Sequence, residues 1–194
     1  MKRKKLGIKK LLPEFKKVGK LLYQEGIVHA TSGNMSLRNS KKTFLITAHD
    51  CCFGDINDSS IVEVSLDNRN LDRNASVEVV VHREIYKRTS AKAIVHCHPI
   101  FATVLSFFSK AIKPRDIEGS FYIPEVPVID IKQSIASERV AQILPEFFKR
   151  YRVVFLKGHG SWVVGDTLFD CFKYTSILES SSKILYYRKF YKGG

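Results

Sequence analysis

The segment Ala93-Ile94-Val95-His96-Cys97-His98-Pro99 constrains this chain most, because an apolar strand there runs into two imidazoles and stops at a proline. Side chains alternate faces along a strand, so His96 and His98 share one face and Cys97 takes the other. Proline lacks a backbone donor and suits the first turn of a helix, so Pro99 ends the strand and opens a segment from Ile100 to Phe108. Both histidines are thus predicted at an element boundary, where binding residues concentrate. Two imidazoles alone hold a divalent ion poorly, so further ligands are expected elsewhere. Val153-Val154-Phe155-Leu156 reads as a strand delivering Lys157-Gly158-His159-Gly160, whose glycines allow a tight bend around the imidazole. Glu78 falls in the first turn of a helix predicted to run from a cap at Asn74 or Ser76 to about Arg88. Val77, Val81 and Ile85 form its buried stripe, and His82 lies one turn beyond Glu78 on the same face. Singly, each histidine is more often a turn or core residue, and Glu78 a surface charge favoured by the helix dipole. Together, His96, His98, His159 and Glu78 form a set for one open divalent-metal site.

The flanking sequence reads as alternating helices and strands. After a basic lead over residues 1–12, Pro13 is expected at the first position of a helix buried through Phe15, Val18 and Leu22 and stopped by Gly26. Thr31-Ser32-Gly33-Asn34-Met35-Ser36 is a run of small residues leading into a strand, Met35 to Arg38, and its backbone N–H groups and short polar side chains suit an oxyanion. Strands are predicted over Thr43 to Thr47 and Ile61 to Val64, with a polar loop from Leu66 to Arg73. Phe121 to Pro124 and Val126 to Ile129 read as short or edge strands, Ser134 to Arg150 as a helix with a break near Pro145, and Ser161 to Val164 as a strand. Thr167 should cap a helix through Leu185 to about Phe190. The alternation predicts one three-layered α/β domain over residues 1–194.

Composition excludes several classes. No apolar run approaches the ~20 residues of a bilayer span, and the basic N-terminus lacks an apolar signal-peptide core, so a cytoplasmic protein is expected. Cys51, Cys52, Cys97 and Cys171 show no C-x-x-C spacing, which fits reduced thiols. The formal charge of +13 is spread along the chain without a zinc-finger or ribonucleoprotein motif. Nucleic-acid binding is therefore not expected as the main role, although the charge can attract anionic substrates.

Taken in order, Ser32-Gly33-Asn34-Met35-Ser36, Leu45-Ile46-Thr47, Ser76-Val77-Glu78, His96-Cys97-His98-Pro99 and Gly158-His159-Gly160 resemble the class II aldolase/adducin-head family, from about Phe15 to Tyr187. The resemblance implies an α/β/α sandwich around a mainly antiparallel sheet, in a cyclic homotetramer with active sites between subunits. It implies that His96, His98 and His159 bind one divalent metal per subunit, commonly zinc, and that Glu78 is the acid/base. By the same resemblance, Gly33, Asn34 and Ser76 hold the substrate phosphate. The implied activity is that of an aldehyde-lyase of carbohydrate metabolism, such as pentose catabolism. It would cleave a small ketose or ketose phosphate as fuculose-1-phosphate aldolase does, the cation stabilising an enediolate as a Lewis acid. Epimerase, dehydratase or decarboxylase chemistry on the same site, or a non-catalytic adducin-like interaction module, are the alternatives.

The chain departs from the family pattern at the phosphate pocket. His49-Asp50 replaces a Thr/Ser-Gly pair, and Val77 replaces a second serine. This leaves two possibilities: a cationic His49 donor, or a substrate whose far end is not phosphate. The family's catalytic tyrosine aligns near Ile117. Asp116, Glu118 and Tyr122 are therefore candidates to replace it, and Tyr186, Tyr187 or Tyr191 could reach across an interface.

Overall fold

The computed structural model describes the backbone of residues 2–68 and 72–189, and the side chains from Ile8 on. In chain order the elements are α1 (Lys2–Gln24), β1 (Asn34–Arg38), β2 (Thr43–Thr47), β3 (Ile61–Ser65), α2 (Val79–Arg88), β4 (Ala93–Cys97) and α3 (Ile100–Ser106). They continue with β5 (Ala111–Ile112), α4 (Ile117–Tyr122), β6 (Val126–Ile129), α5 (Glu138–Phe147), β7 (Val153–Leu156), β8 (Gly160–Gly165) and α6 (Leu168–Arg188).

The strands form one sheet in the order β3-β2-β1-β4-β8-β7-β6-β5. Every pairing is antiparallel except that of β6 with β7. Strand alternation sends residues to two cores. Met35, Val95, Cys97, Phe155 and Val163 meet Phe15 and Leu22 of α1, Leu105 of α3 and Leu178 of α6 on one face. Ile46, Ile94, Val154 and Trp162 meet Val81 and Ile85 of α2 and Leu144 of α5 on the other. The result is the expected α/β/α sandwich around a mainly antiparallel sheet, with Cys97 and His96 on opposite faces. Among the described residues no helix is long and apolar enough to cross a membrane.

Several boundaries differ from the sequence expectation. Helix α1 already begins at Lys2, so Pro13 lies inside it and the basic lead is helical backbone; the imino ring removes only the bond to the Lys9 carbonyl. Helix α2 starts at Val79 with Glu78 as its N-cap residue, rather than at Asn74 or Ser76. Residues 74–77 stay outside it because Ser76 N–H donates to the Thr47 carbonyl and His49 N–H to the Asn74 carbonyl, tying the segment to the end of β2. Val77 is consequently 48% exposed, not part of the buried stripe. Phe121 to Pro124 is not a strand: Asp116 caps α4, accepting from Gly119 N–H, and that helix runs to Tyr122. Helix α5 begins after the Ser137 cap and passes through Pro145 without breaking there. The expected end of the last helix at Phe190, and part of the Leu66 to Arg73 loop, lie outside the described residues.

Candidate metal centre and active site

The three histidines meet where β4 and β8, neighbours in the middle of the sheet, run out. His96 is opposite Trp162 on β8 and Asn34 on β1. It is almost wholly buried, and its Nδ1 lies 2.9 Å from the Ser161 carbonyl. A carbonyl only accepts, so Nδ1 carries the hydrogen and the Nε2 lone pair is left free. His98, just past β4, places Nε2 3.0 Å from that atom, and His159, in the turn between β7 and β8, places Nε2 3.3 Å from it. One ligand atom from each of the three lies within 4.8 Å of the others. Nitrogens ~2.1 Å from a shared tetrahedral ion would stand about 3.4 Å apart, so the donor set fits a zinc-like cation. Gly160 permits the convergence, since a Cβ there would strike the Cys97 carbonyl and lie 2.6 Å from His98 Cδ2. Burial, reinforced by the neighbouring imidazoles, pushes His96 well below its ordinary value and His98 down to about 4; burial also lowers His159. The rings are therefore neutral near pH 7, the form that ligates a metal.

Glu78, only 3% exposed, borders the same cavity of about 180 Å³ as the three histidines. Burial raises its carboxyl to about 7, opposed by a hydrogen bond from the Ala136 backbone N–H. Its Oε2 is buried with no hydrogen-bond partner among the described residues. An acceptor left bare beside three converging nitrogens is what a bound cation or substrate hydroxyl would satisfy. Ala136 comes from the loop between β6 and α5, a stretch that the sequence predicts as helix, and holds φ of 50°.

Gly33, Asn34 and Ser76 border this cavity too, so the structure brings together all seven residues singled out from sequence. Gly33 has φ of 81°, and a Cβ there would lie 2.8 Å from the His96 carbonyl; only glycine lets the loop rest on β4. His49, Asp50 and Val77 also line the cavity. The first two form an exposed pair, Nδ1 to Oδ2, at 2.9 Å. Asp116, Glu118 and Tyr122 do not border it. Asp116 instead caps α4 and accepts from Ser181 Oγ at 2.7 Å. Tyr186 and Tyr187 pack on Phe101, and Tyr191 lies outside the described residues. A larger cavity of about 670 Å³, reached by Leu105, Lys110 and Arg188, contains none of the candidate residues.

Sequence reasoning missed what supports the histidines. Trp162 stacks under His96, with ring centroids 4.4 Å apart and planes inclined by 20°. His82 lies edge-on to Trp162 and bonds Asn34 and Ser36. The signals were present as period-2 placement on β8 and i+4 spacing from Glu78, but they specify a face and not a partner.

Comparisons with known proteins find similarity over most of the chain. The family model described as Class II Aldolase and Adducin N-terminal domain matches residues 14–186. The chain is 29% identical over 173 residues to an L-fuculose phosphate aldolase of Methanocaldococcus jannaschii, covering 88% of this chain and 93% of that one. It is also 29% identical over 180 residues to a 3-oxo-tetronate 4-phosphate decarboxylase of Pectobacterium atrosepticum, with coverages of 89% and 82%. The crystal structure of l-fuculose-1-phosphate aldolase from Thermus thermophilus superposes with a TM-score of 0.90 at 37% identity, covering 95% of this chain and 96% of that one.

Proposed function

The chain belongs to the class II aldolase and adducin family, and on that premise we propose that it is a divalent-metal-dependent aldolase cleaving a carbon–carbon bond of a small ketose or ketose phosphate. The observation that carries this reading is the convergence of three imidazole nitrogens beside a buried, partly unpartnered carboxylate in one cavity. His96, His98 and His159 would hold one zinc ion per subunit. When bound, the ion supplies Lewis acidity toward negative charge developing on substrate oxygen. The Ser161 carbonyl, bonded at His96 Nδ1, keeps the opposite ring nitrogen available to it. Glu78, with a carboxyl near 7, has both protonation states within reach at neutral pH and so can take a hydroxyl proton and return it. Ala136 N–H fixes the orientation of that carboxylate. Donors of Gly33, Asn34 and Ser76 receive the anionic end of the substrate, aided by the +13 charge. We place the enzyme in the cytoplasm as a homotetramer.

A second reading is decarboxylation, favoured by equal 29% identity to a decarboxylase relative. Both reactions break a carbon–carbon bond, so the same cavity serves either. The test is turnover of fuculose 1-phosphate and other ketose 1-phosphates against 3-oxo-tetronate 4-phosphate, with metal analysis of the purified protein. We expect about one divalent ion per chain and loss of turnover on chelation, restored by zinc. Turnover that survives complete metal removal would sink the proposal. A metal-free protein inert toward every substrate would instead revive the adducin-like interaction module.

A further inference from the structure

His82 has no place in the reaction proposed above, yet it is fully buried beneath the cavity and its two ring nitrogens are both engaged. Nε2 lies 2.6 Å from Asn34 Oδ1, and Nδ1 lies 2.6 Å from Ser36 Oγ. Ser36 Oγ is in turn 2.8 Å from Tyr86 Oη. An amide oxygen only accepts, so Nε2 carries the hydrogen, Nδ1 accepts from Ser36, and Tyr86 donates to Ser36. The opposite direction would leave the Tyr86 hydrogen to the Lys92 carbonyl at 3.4 Å, a poorer bond. Burial lowers the imidazole to about 3, so it stays neutral and this order of donors persists across the working pH range. The Trp162 ring, 5.2 Å away and edge-on, fixes the imidazole from a second side.

Asn34 is the strand neighbour of His96 and lines the cavity. With Oδ1 taken by His82, the amide has both of its hydrogens left for whatever occupies that cavity. Turning the amide over would set two donors against each other at His82 and aim a carbonyl at any anion in the cavity. We infer that His82 is a positioning residue: through Asn34 Oδ1 it fixes the side-chain amide so that its N–H₂ group meets an anionic oxygen of the substrate. This rests on the proposed use of the cavity as a substrate site.

The test is a double-mutant cycle on the zinc-loaded protein with His82→Phe, Asn34→Ala and the pair combined. Binding of dihydroxyacetone phosphate and of uncharged dihydroxyacetone is measured by calorimetry, alongside metal content and thermal midpoint. Each single change should weaken binding at least about tenfold, the worth of a hydrogen bond to a charged group, and the combined variant should lose no more than Asn34→Ala alone. A loss confined to the phosphorylated probe supports the inference and assigns the oxygen to its phosphate, whereas an equal loss on both probes places the contact at an uncharged oxygen and overturns it. Additive losses overturn it, because His82 would then act independently of Asn34. If His82→Phe fails to fold, Asn34→Asp serves: it keeps the acceptor for His82 but removes the donors. Wild-type affinity in that variant overturns the inference. A zinc-loaded wild-type protein that binds neither probe overturns the substrate reading, and this inference with it.

Discussion

Burial lifts the Glu78 carboxyl from its ordinary value of 4.5 to about 7, so ionising it in the metal-free protein works against the fold. Below pH 4.5 the group is protonated in both folded and unfolded chains and carries no penalty. Between 4.5 and 7 the unfolded chain releases the proton first. Above 7 the folded state bears the whole difference, about 3 kcal/mol. Stability from this group is therefore present at low pH and lost as pH rises through 7. Metal-free Glu78→Gln should match the metal-free wild type in denaturant melts at pH 4 and exceed it by up to about 3 kcal/mol at pH 8, while the zinc-loaded variant should lose turnover at pH 8. A wild type that gained stability relative to the variant as pH rose would contradict this. Of the seven cavity residues, His96, His98 and His159 were legible because strand alternation and glycine placement act locally, whereas Gly33, Asn34 and Ser76 and the role of Glu78 came through the family resemblance. The bonds of His82 were not legible, since they form only once β1 and α2 are packed together. Val77 was misplaced because the apolar period ignores the backbone bonds that hold residues 74–77 to β2.

Helix α3 follows directly on His98, and its N-cap residue, Pro99, has no side chain able to cap. Two of its first N–H groups, those of Phe101 and Ala102, are met instead by the Glu179 carboxylate of α6 at 3.0 and 3.1 Å. Burial raises that carboxyl, and these backbone donors oppose the rise. Glu179→Ala leaves the donors bare and should cost about 1–3 kcal/mol in chemical denaturation. By loosening the turn after His98 it should also weaken zinc in chelator competition, whereas a variant at exposed Lys132 should do neither. Unchanged zinc affinity would mean that α3 does not hold His98. This remote cap was invisible in sequence because its partners are 78 and 77 residues away. Strands β1 to β4 and β6 to β8 were legible as short apolar or alternating runs bounded by turn residues. Helix α4 was not, since Phe121-Tyr122-Ile123 has strand-like composition and the Asp116 cap prevailed over it.

At the scale of the molecule, the sheet is covered on both faces, yet large apolar side chains remain in solvent on α4 and at the end of α3. Ile117 is 90% exposed, Phe121 78% and Phe108 76%. Such exposure would suit a surface that another molecule covers, and the proposed homotetramer would provide the partner from a second copy of the chain. The same helix and its cap carry Asp116, Glu118 and Tyr122, the candidates for the family's catalytic tyrosine, and none of them borders the cavity. Assembly between copies would account for both facts. The +13 charge would oppose that assembly, so the proposed tetramer should tighten as salt screens the repulsion. Phe121→Asp and Ile117→Asp should therefore sediment as smaller species than the wild type, with unchanged circular dichroism and zinc content. If active sites lie between subunits, turnover should fall in step with the tetramer fraction as protein is diluted. Variants that keep full assembly would assign these side chains to another partner, and dissociated subunits with full activity would show that each chain completes its own site.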